Sequence, residues 1–165
     1  MLIKLVQLLN LNETSTEFKM NEKYQLAIKT AFASEFCFYL KAHNFHWNVE
    51  GPLFPQLHML FATVYEEVYG AIDDFAENIR KLGSYTPASF QRFSMLTQVE
   101  DELNMLEDRA MIAELLQDSD KMVKLLKIVF DLSEAAGEHG LSDFIAGRMD
   151  AHRKHSWQLR ATSKE

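Results

Sequence analysis

The composition of the chain and the spacing of its turn residues predict an all-α fold. The 165 residues include only 3 Pro and 6 Gly, so few positions favour the tight turns that a many-stranded sheet needs. Turn residues cluster at 51–55, at 83–87 and at 137–140, between long stretches that carry apolar residues at helical spacing. Four main helices, with a short helix in the crossover between the second and the third, predict a four-helix bundle in one domain.

The first predicted helix covers about residues 21–48 and is apolar almost all round. A helix without a broad polar face must be covered on more than one side, which indicates an interface with another subunit as well as a core. Residues 1–20 form an N-terminal extension with apolar residues at helical spacing. Lys4 and Gln7 interrupt its apolar run, which argues against a secretory signal. We expect a short amphipathic segment that docks on this subunit or on a neighbour.

Pro and Gly residues predict the bounds of the remaining helices. The second is predicted over about 55–82, with Pro55 near its start and Gly83 after its end. A short connecting helix reaches about residue 96. The third helical region covers about 100–136 with an interruption at the polar residues 117–120, and the fourth covers about 142–161, which completes a bundle over 21–161.

The charge and the cysteine content exclude some classes of function. The formal net charge is -7, which argues against a general affinity for nucleic acid and favours attraction of cations. Cys37 is the only cysteine, so an intrachain disulfide is excluded and a reducing, cytoplasmic location is expected. No stretch reaches the ~18 apolar residues of a membrane span.

Four side chains form a candidate metal site. His46 ends the first helix, and His58 lies in the first turn of the second. Asp73 and Glu77, spaced i and i+4, project from one face of the second helix. Two imidazoles and two carboxylates suit iron or, less specifically, zinc or manganese. Because fifteen helical residues span about 22 Å, His58 and Asp73 of one chain cannot share a metal ion. If the four residues bind one ion, the histidines must come from one subunit and the carboxylates from another, so the site predicts at least a two-fold dimer.

Each of these residues also has a purely structural interpretation. Taken singly, His46 and His58 are more often structural histidines at helix ends, and Asp73 and Glu77 are typical of a solvated helix face. Only the joint spacing favours ligation.

The motifs around these positions resemble those of the Dps family of miniferritins. Residues 43–51 read HNFHWNVEG, and residues 148–160 are similar to the last helix of that family. The other matching positions are Phe54, Leu57, His58, Phe61, Tyr65, Asp73, Ala76 and Glu77. The resemblance implies a single ferritin-like domain in a hollow dodecamer. It also implies ferroxidase sites at two-fold interfaces that oxidise Fe²⁺ with hydrogen peroxide or O₂, and storage of ferric mineral that protects against oxidative damage. His46, His58, Asp73 and Glu77 match the family's catalytic ligands.

Two positions depart from the family pattern. Ala62 stands where an acidic residue is usual, four positions after the second histidine, and Asn78 stands where arginine is usual. Glu66, one helical turn further along, could substitute through water. We therefore expect one firmly bound iron per site and a second that binds only transiently.

Other residues near these motifs have open roles. Trp47 is interpreted as a core or interface aromatic, although the resemblance places such a ring near the iron, where it intercepts oxidants. His43 is expected to pack or to support the ligands, and His152 and His155 are expected at a surface or interface. Three further residues at the start of the fourth helix match an iron-entry pore in the family, or alternatively a helix cap formed by Ser142 or Asp143. These pore candidates are Glu138, His139 and Asp143.

Three other functions compete with the miniferritin hypothesis. A different di-iron bundle protein would carry Glu-x-x-His pairs, and no Glu in the chain is followed by His three residues later. A cage or DNA-compacting protein with an impaired ferroxidase site is kept open by Ala62 and Asn78. A monomeric signalling bundle leaves the apolar first helix unexplained. DNA binding is not expected, because the basic residues near both ends are balanced by acids or lie on a predicted helix.

Overall fold

The computed structural model describes residues 2–164, with side chains from residue 21 onward. It contains five helices: α1 Leu2–Asn48, α2 Phe54–Lys81, α3 Phe90–Leu96, α4 Asp108–Ala136 and α5 His139–Thr162. No strand occurs within residues 2–164. Helix α1 packs against α2, α3 and α4, and α4 packs against α5. The predicted all-α bundle with a short crossover helix is therefore confirmed.

Helix α1 begins earlier than predicted, at Leu2 instead of about Asn21. The side chains of residues 2–20 lie outside the described part of the chain, so the docking of this segment stays a prediction. The end of α1 at Asn48 agrees with the sequence. Gly51 adopts a φ of 106°, a conformation that side chains with a Cβ rarely adopt, and the chain reverses there into α2.

The third helix differs from its predicted start at about residue 100. Residues 97–107 form no helix, and α4 begins at Asp108. Within this segment the carboxylate of Glu102 accepts a hydrogen bond from the backbone N–H of Asn104 at 2.6 Å, and the Ser34 hydroxyl accepts one from the N–H of Gln98 at 2.9 Å. Side chains thus satisfy backbone donors that a helix would otherwise pair.

The predicted interruption at residues 117–120 is wrong, because α4 is continuous through them. Their polar side chains bind other helices instead of breaking this one. Asp118 accepts from Lys41 of α1 at 2.6 Å, and Ser119 donates to the carbonyl of His152 in α5 at 2.8 Å. Asp120 accepts from Ser156 at 2.6 Å.

A polar network connects three helices of the bundle, which we call the core network: Glu35, Glu67, Arg148, His152 and His155. All of its members are buried except Glu67, which is exposed. Arg148 donates through Nε to Glu35 at 2.9 Å and pairs with Glu67 through Nη1. His152 and Glu35 are fully buried, with Nε2 and Oε2 2.9 Å apart. The expectation that His152 and His155 lie at a surface or interface is therefore wrong, because both are buried within the bundle, His152 beside Glu35 and His155 beside Glu67.

The apolar core surrounds this network. It includes an edge-to-face pair of Phe32 in α1 and Phe75 in α2, with ring centroids 5.6 Å apart. Among the described residues, no helix is long and apolar enough to cross a membrane.

Candidate metal centre

His46 and His58 lie together where α1 ends and α2 begins. The Nδ1 of His46 is 2.8 Å from the carbonyl oxygen of His58, and the Nδ1 of His58 is 2.8 Å from the carbonyl oxygen of His46. Their rings stack with centroids 3.7 Å apart. Each histidine therefore fixes the other through its backbone, an arrangement that we call the histidine clasp.

The histidine clasp determines which ring nitrogens are free. A carbonyl oxygen only accepts hydrogen bonds, so the Nδ1 atom of each ring must carry a hydrogen and donate it. In the neutral ring the Nε2 atom then keeps its lone pair. A metal-binding histidine is commonly oriented in this way, by a hydrogen bond from its second nitrogen to a carbonyl oxygen. The clasp thus presents two oriented imidazole nitrogens as possible metal ligands.

Asp73 and Glu77 lie further along α2, and both are exposed. Fifteen residues of helix separate His58 from Asp73, which corresponds to about 22 Å. Among side chains 21–164, no three His, Cys, Asp or Glu residues converge as a metal site. The structure therefore brings the two histidines together but leaves the two carboxylates apart from them within one subunit. Their meeting across a two-fold interface stays a prediction.

An aromatic cluster adjoins the histidine clasp. His43 lies between two rings, with centroids 3.9 Å from Trp47 and 3.9 Å from Tyr65. Tyr65 is also 5.1 Å from His46, and the Tyr39 hydroxyl is 3.3 Å from Nδ1 of His43. The pKa of His43 is lowered, because partial burial and the neighbouring His46 disfavour its charged form. The packing role expected for His43 is seen in these contacts.

Two members of this cluster, Tyr39 and Tyr65, were not singled out as functional residues from the sequence. A signal was present in the spacing, since Tyr39, His43 and Trp47 recur every four residues and share a face of α1. Trp47 is 60% exposed in the single chain, so it is not a core residue of this subunit.

Comparison with known proteins identifies the family. A model of the ferritin-like domain matches residues 25–165. A DNA protection during starvation protein of Brevibacillus brevis is 30% identical over 123 residues, which are 74% of this chain and 83% of that protein. The chain belongs to the Dps family of ferritin-like proteins.

One more curated protein and one solved structure are also similar to most of the chain. A low temperature-induced protein of Nostoc sp. is 31% identical over 131 residues, covering 78% of this chain and 73% of that protein. The crystal structure of Dps from Thermosynechococcus elongatus superposes with a TM-score of 0.85 and 25% identity, covering 89% of this chain and 94% of that one. The resemblance to Dps and the ferritin-like fold predicted from the sequence motifs are confirmed.

The two departures from the Dps pattern lie on α2. Ala62 is partly buried one turn after His58 and offers no ligand atom. Glu66 is exposed one turn further on, and its carboxylate accepts a weak hydrogen bond from the Tyr65 hydroxyl at 3.4 Å. Asn78 donates to the backbone carbonyl of Asp74 at 2.9 Å. These contacts place no carboxylate beside His58 in the described chain.

The residues matched to a Dps entry pore, Glu138, His139 and Asp143, are all exposed at the start of α5. His139 lies 3.4 Å from the carboxylate of Glu134. The alternative of capping by Ser142 or Asp143 is wrong, because α5 begins at His139 with Glu138 in the N-cap position. Ser142 instead donates to the carbonyl of Glu138 at 3.2 Å. A role in a pore stays a prediction.

Proposed function

We propose that this Dps-family protein oxidises Fe²⁺ at sites shared between two subunits and stores the ferric product inside a hollow dodecamer. The histidine clasp carries the proposal, since it holds two imidazole rings against each other and leaves their Nε2 atoms outside its hydrogen bonds. Asp73 and Glu77 supply carboxylates from the partner across a two-fold axis. The activity is that of a ferroxidase, and its biological role is protection against oxidative damage in a reducing cytoplasm.

The ligand types fit the proposed substrate. Carboxylates hold Fe²⁺ and favour the ferric state through their negative charge, and imidazoles suit iron, zinc and manganese. His46, His58, Asp73 and Glu77 fill only part of a coordination sphere, so room remains for hydrogen peroxide or O₂. Ala62 leaves one firm iron position per site, with a second that fills transiently. The acidic chain, with a formal charge of -7, favours accumulation of cations around the assembly.

The shared site is tested by complementation between two inactive subunits. One carries His46→Ala and His58→Ala, and the other carries Asp73→Ala and Glu77→Ala. A mixed dimer of these chains has one site with all four ligands and one with none. Co-expression with random pairing should recover about a quarter of the parent oxidation rate per subunit. Inactivity of the mixture, with both chains present in one assembly, would contradict sharing.

The ligand assignment is tested by single carboxylate variants. Asp73→Ala and Glu77→Ala should each slow peroxide-driven Fe²⁺ oxidation by about 100-fold or more, since even the residues that support metal ligands contribute 10- to 100-fold. Asp74→Ala is the matched control, because Asp74 is an exposed neighbour of Asp73. Oxidation should be followed by stopped-flow absorbance and assembly by light scattering. Unchanged kinetics in both ligand variants would refute the proposal.

DNA compaction by a cage with an impaired ferroxidase site is the competing function. It is favoured by the loss of a carboxylate at Ala62 and by the name of the Brevibacillus brevis relative, a DNA protection during starvation protein. The net charge of -7 opposes it, because DNA binding requires concentrated Lys and Arg. We propose that the assembly does not bind DNA at physiological salt. A gel-shift experiment with duplex DNA over a series of salt concentrations separates the two functions.

A further inference from the structure

A continuous series of ring contacts connects the histidine clasp to Tyr39. Tyr65 lies 5.1 Å from the ring of His46 and stacks on His43 at 3.9 Å, with an angle of 14° between the ring planes. Tyr39 follows, 5.6 Å from His43 and 6.4 Å from Tyr65. Both Tyr39 and His43 are partly buried. The rings therefore form a compact path for an electron between a candidate iron ligand and a tyrosine in α1.

Tyr39 also has a partner for its proton. Its hydroxyl lies 3.3 Å from Nδ1 of His43, which accepts the phenolic hydrogen when the imidazole is neutral. A tyrosine loses an electron far more readily when its proton moves to a nearby base at the same time. Tyr85 is 82% exposed, and its recorded contact is with the guanidinium of Arg80. Tyr39 is thus better prepared for oxidation than an ordinary surface tyrosine.

The chemistry of the proposed site creates a need for such an electron. Reduction of hydrogen peroxide to two water molecules takes two electrons, whereas oxidation of one Fe²⁺ supplies one. A site that holds two irons meets this demand directly. Ala62 removes a carboxylate from the face of α2 that carries His58, and the proposed function leaves one firm iron position. The second electron must then come from another donor close to the site.

We propose that Tyr39 supplies the second electron during peroxide-driven iron oxidation, with His43 as the acceptor of its proton. This inference rests on the proposed ferroxidase function. In the first step Fe²⁺ and Tyr39 each lose one electron, and the O–O bond of hydrogen peroxide breaks. Two protons from solvent complete two water molecules, while the phenolic proton moves to Nδ1 of His43. The products are Fe³⁺, a neutral Tyr39 radical, a protonated His43 and water.

A second Fe²⁺ completes the cycle. It gives one electron to the Tyr39 radical, and His43 returns the proton to the phenolic oxygen. The sum is two Fe²⁺, one hydrogen peroxide and two protons converted to two Fe³⁺ and two water molecules. The irons react in succession at one position, and no one-electron product of peroxide is released between the two steps. Tyr39 therefore acts as a temporary electron donor, and the protein is unchanged after the cycle.

The experiment combines radical detection with a count of peroxide. The assembled protein is loaded anaerobically with one Fe²⁺ per subunit, mixed with excess hydrogen peroxide and frozen within milliseconds for electron paramagnetic resonance. We expect an organic radical signal that narrows when the protein is grown with ring-deuterated tyrosine. Peroxide consumption in this first turnover should equal the amount of iron, instead of half that amount.

Three variants assign the signal. Tyr39→Phe keeps the ring contacts but has no phenol, so the tyrosine radical signal should be lost. Peroxide reduction at a single iron should then release hydroxyl radical, which a spin trap detects. His43→Phe keeps a stacking ring but removes the proton acceptor, and we expect a large loss of the signal. Tyr85→Phe is the matched control and should leave the signal and the peroxide count unchanged. Light scattering and far-ultraviolet circular dichroism verify assembly and folding of each variant.

The outcomes separate this inference from the ferroxidase proposal. Fast oxidation that requires Asp73 and Glu77, without a tyrosine radical and with peroxide consumption at half the iron, overturns the role of Tyr39 alone. A radical that is insensitive to tyrosine deuteration, as from Trp47, also overturns it. Oxidation that is slow and indifferent to Asp73 and Glu77 refutes the shared ferroxidase site itself.

Discussion

Arg148 and Glu35, 113 residues apart in the sequence, form a buried ion pair in the interior of the bundle, with Nε of the arginine 2.9 Å from the carboxylate. The pair joins α5 to α1. Glu67 of α2 accepts a hydrogen bond from Arg148, and His152 of α5 lies within hydrogen-bond distance of Glu35, so three helices are held through one network. Burial of charges costs desolvation energy, so such a pair adds little net stability, but removal of one partner leaves the other charge buried and uncompensated.

Loss of Arg148 should destabilise the fold strongly. Arg148→Met leaves buried Glu35 with only His152 as a hydrogen-bond partner, and breaking a buried pair typically costs about 3–5 kcal/mol. Arg153→Met is the matched control, because Arg153 is exposed on the same helix, and its effect should stay within about 0.5 kcal/mol. Urea unfolding at one fixed protein concentration measures both, since assembly makes stability depend on concentration. Equal effects of the two substitutions would contradict the importance of the core network.

Stability should fall below about pH 6 because of His155. Burial, together with His152 and Arg148, lowers the pKa of this imidazole to about 3 from its ordinary 6.5. The unfolded chain regains the ordinary pKa and so binds the proton more tightly between these values. The stabilisation is present above pH 6.5 and is lost as the pH falls toward 3, with a slope of about 1.4 kcal/mol per pH unit for one proton.

Protonation of Glu35 causes a second loss of stability at lower pH. Burial alone would raise its pKa, but attraction to His152 and Arg148 and their hydrogen bonds lower it from 4.5 to about 2. Its contribution is present above pH 4.5 and is lost as the pH falls through 2, with the same sign as that of His155. The substitution His155→Phe should reduce the pH dependence of the free energy of unfolding between pH 6.5 and about 3, and it should leave the loss due to Glu35 below pH 4.5.

Removal of one ring of the histidine clasp should weaken the metal site without dismantling it. In His58→Ala the backbone carbonyl of residue 58 is retained, so the ring of His46 keeps its hydrogen bond. We expect Fe²⁺ affinity to fall by about 10- to 100-fold. Stability should change by about 1 kcal/mol, the value of one hydrogen bond. Anaerobic titration calorimetry measures the affinity, and an affinity equal to that of the parent would show that His58 is not a ligand.

A carboxylate restored at position 62 should create a second firm iron position. Asp in Ala62→Asp would lie one helical turn from His58, on the same face of α2. Anaerobic Fe²⁺ titration should then show two tight irons per site instead of one. Thr63→Asp adds the same charge at an exposed neighbouring position and should not change the count. Two tight irons in the parent protein would contradict the single-iron site, and with it the need for an electron from Tyr39.

Local signals in the sequence predicted most of the fold. Gly51, Pro55, Gly83 and Gly137 mark real helix boundaries, because backbone conformation there depends on the residue itself. The sequence also predicted that Asp73 and Glu77 lie on the second helix and that His46 and His58 lie where the first helix ends and the second begins. The histidine clasp was not predictable, since it depends on the path of the chain through residues 49–53.

The errors arose where a residue's partner is distant in sequence. Polar residues 117–120 resemble a break, but Asp118 pairs with Lys41, 77 residues away, and this contact compensates for its burial. His152 resembles a surface residue on a polar helix, but its partner Glu35 is 117 residues away. Neither partner is identifiable from the periodicity of one helix, because the pairing requires the assembled bundle.

The core network also bears on whether folding of the subunit depends on a bound metal ion. In many metalloproteins a bound ion neutralises the buried carboxylates, and a chelator then unfolds the chain. Here Arg148 supplies the positive charge beside Glu35 and Glu67, and it is covalently part of the chain. The charge of these carboxylates is therefore balanced within the chain, and folding of the subunit does not require a metal ion to neutralise them.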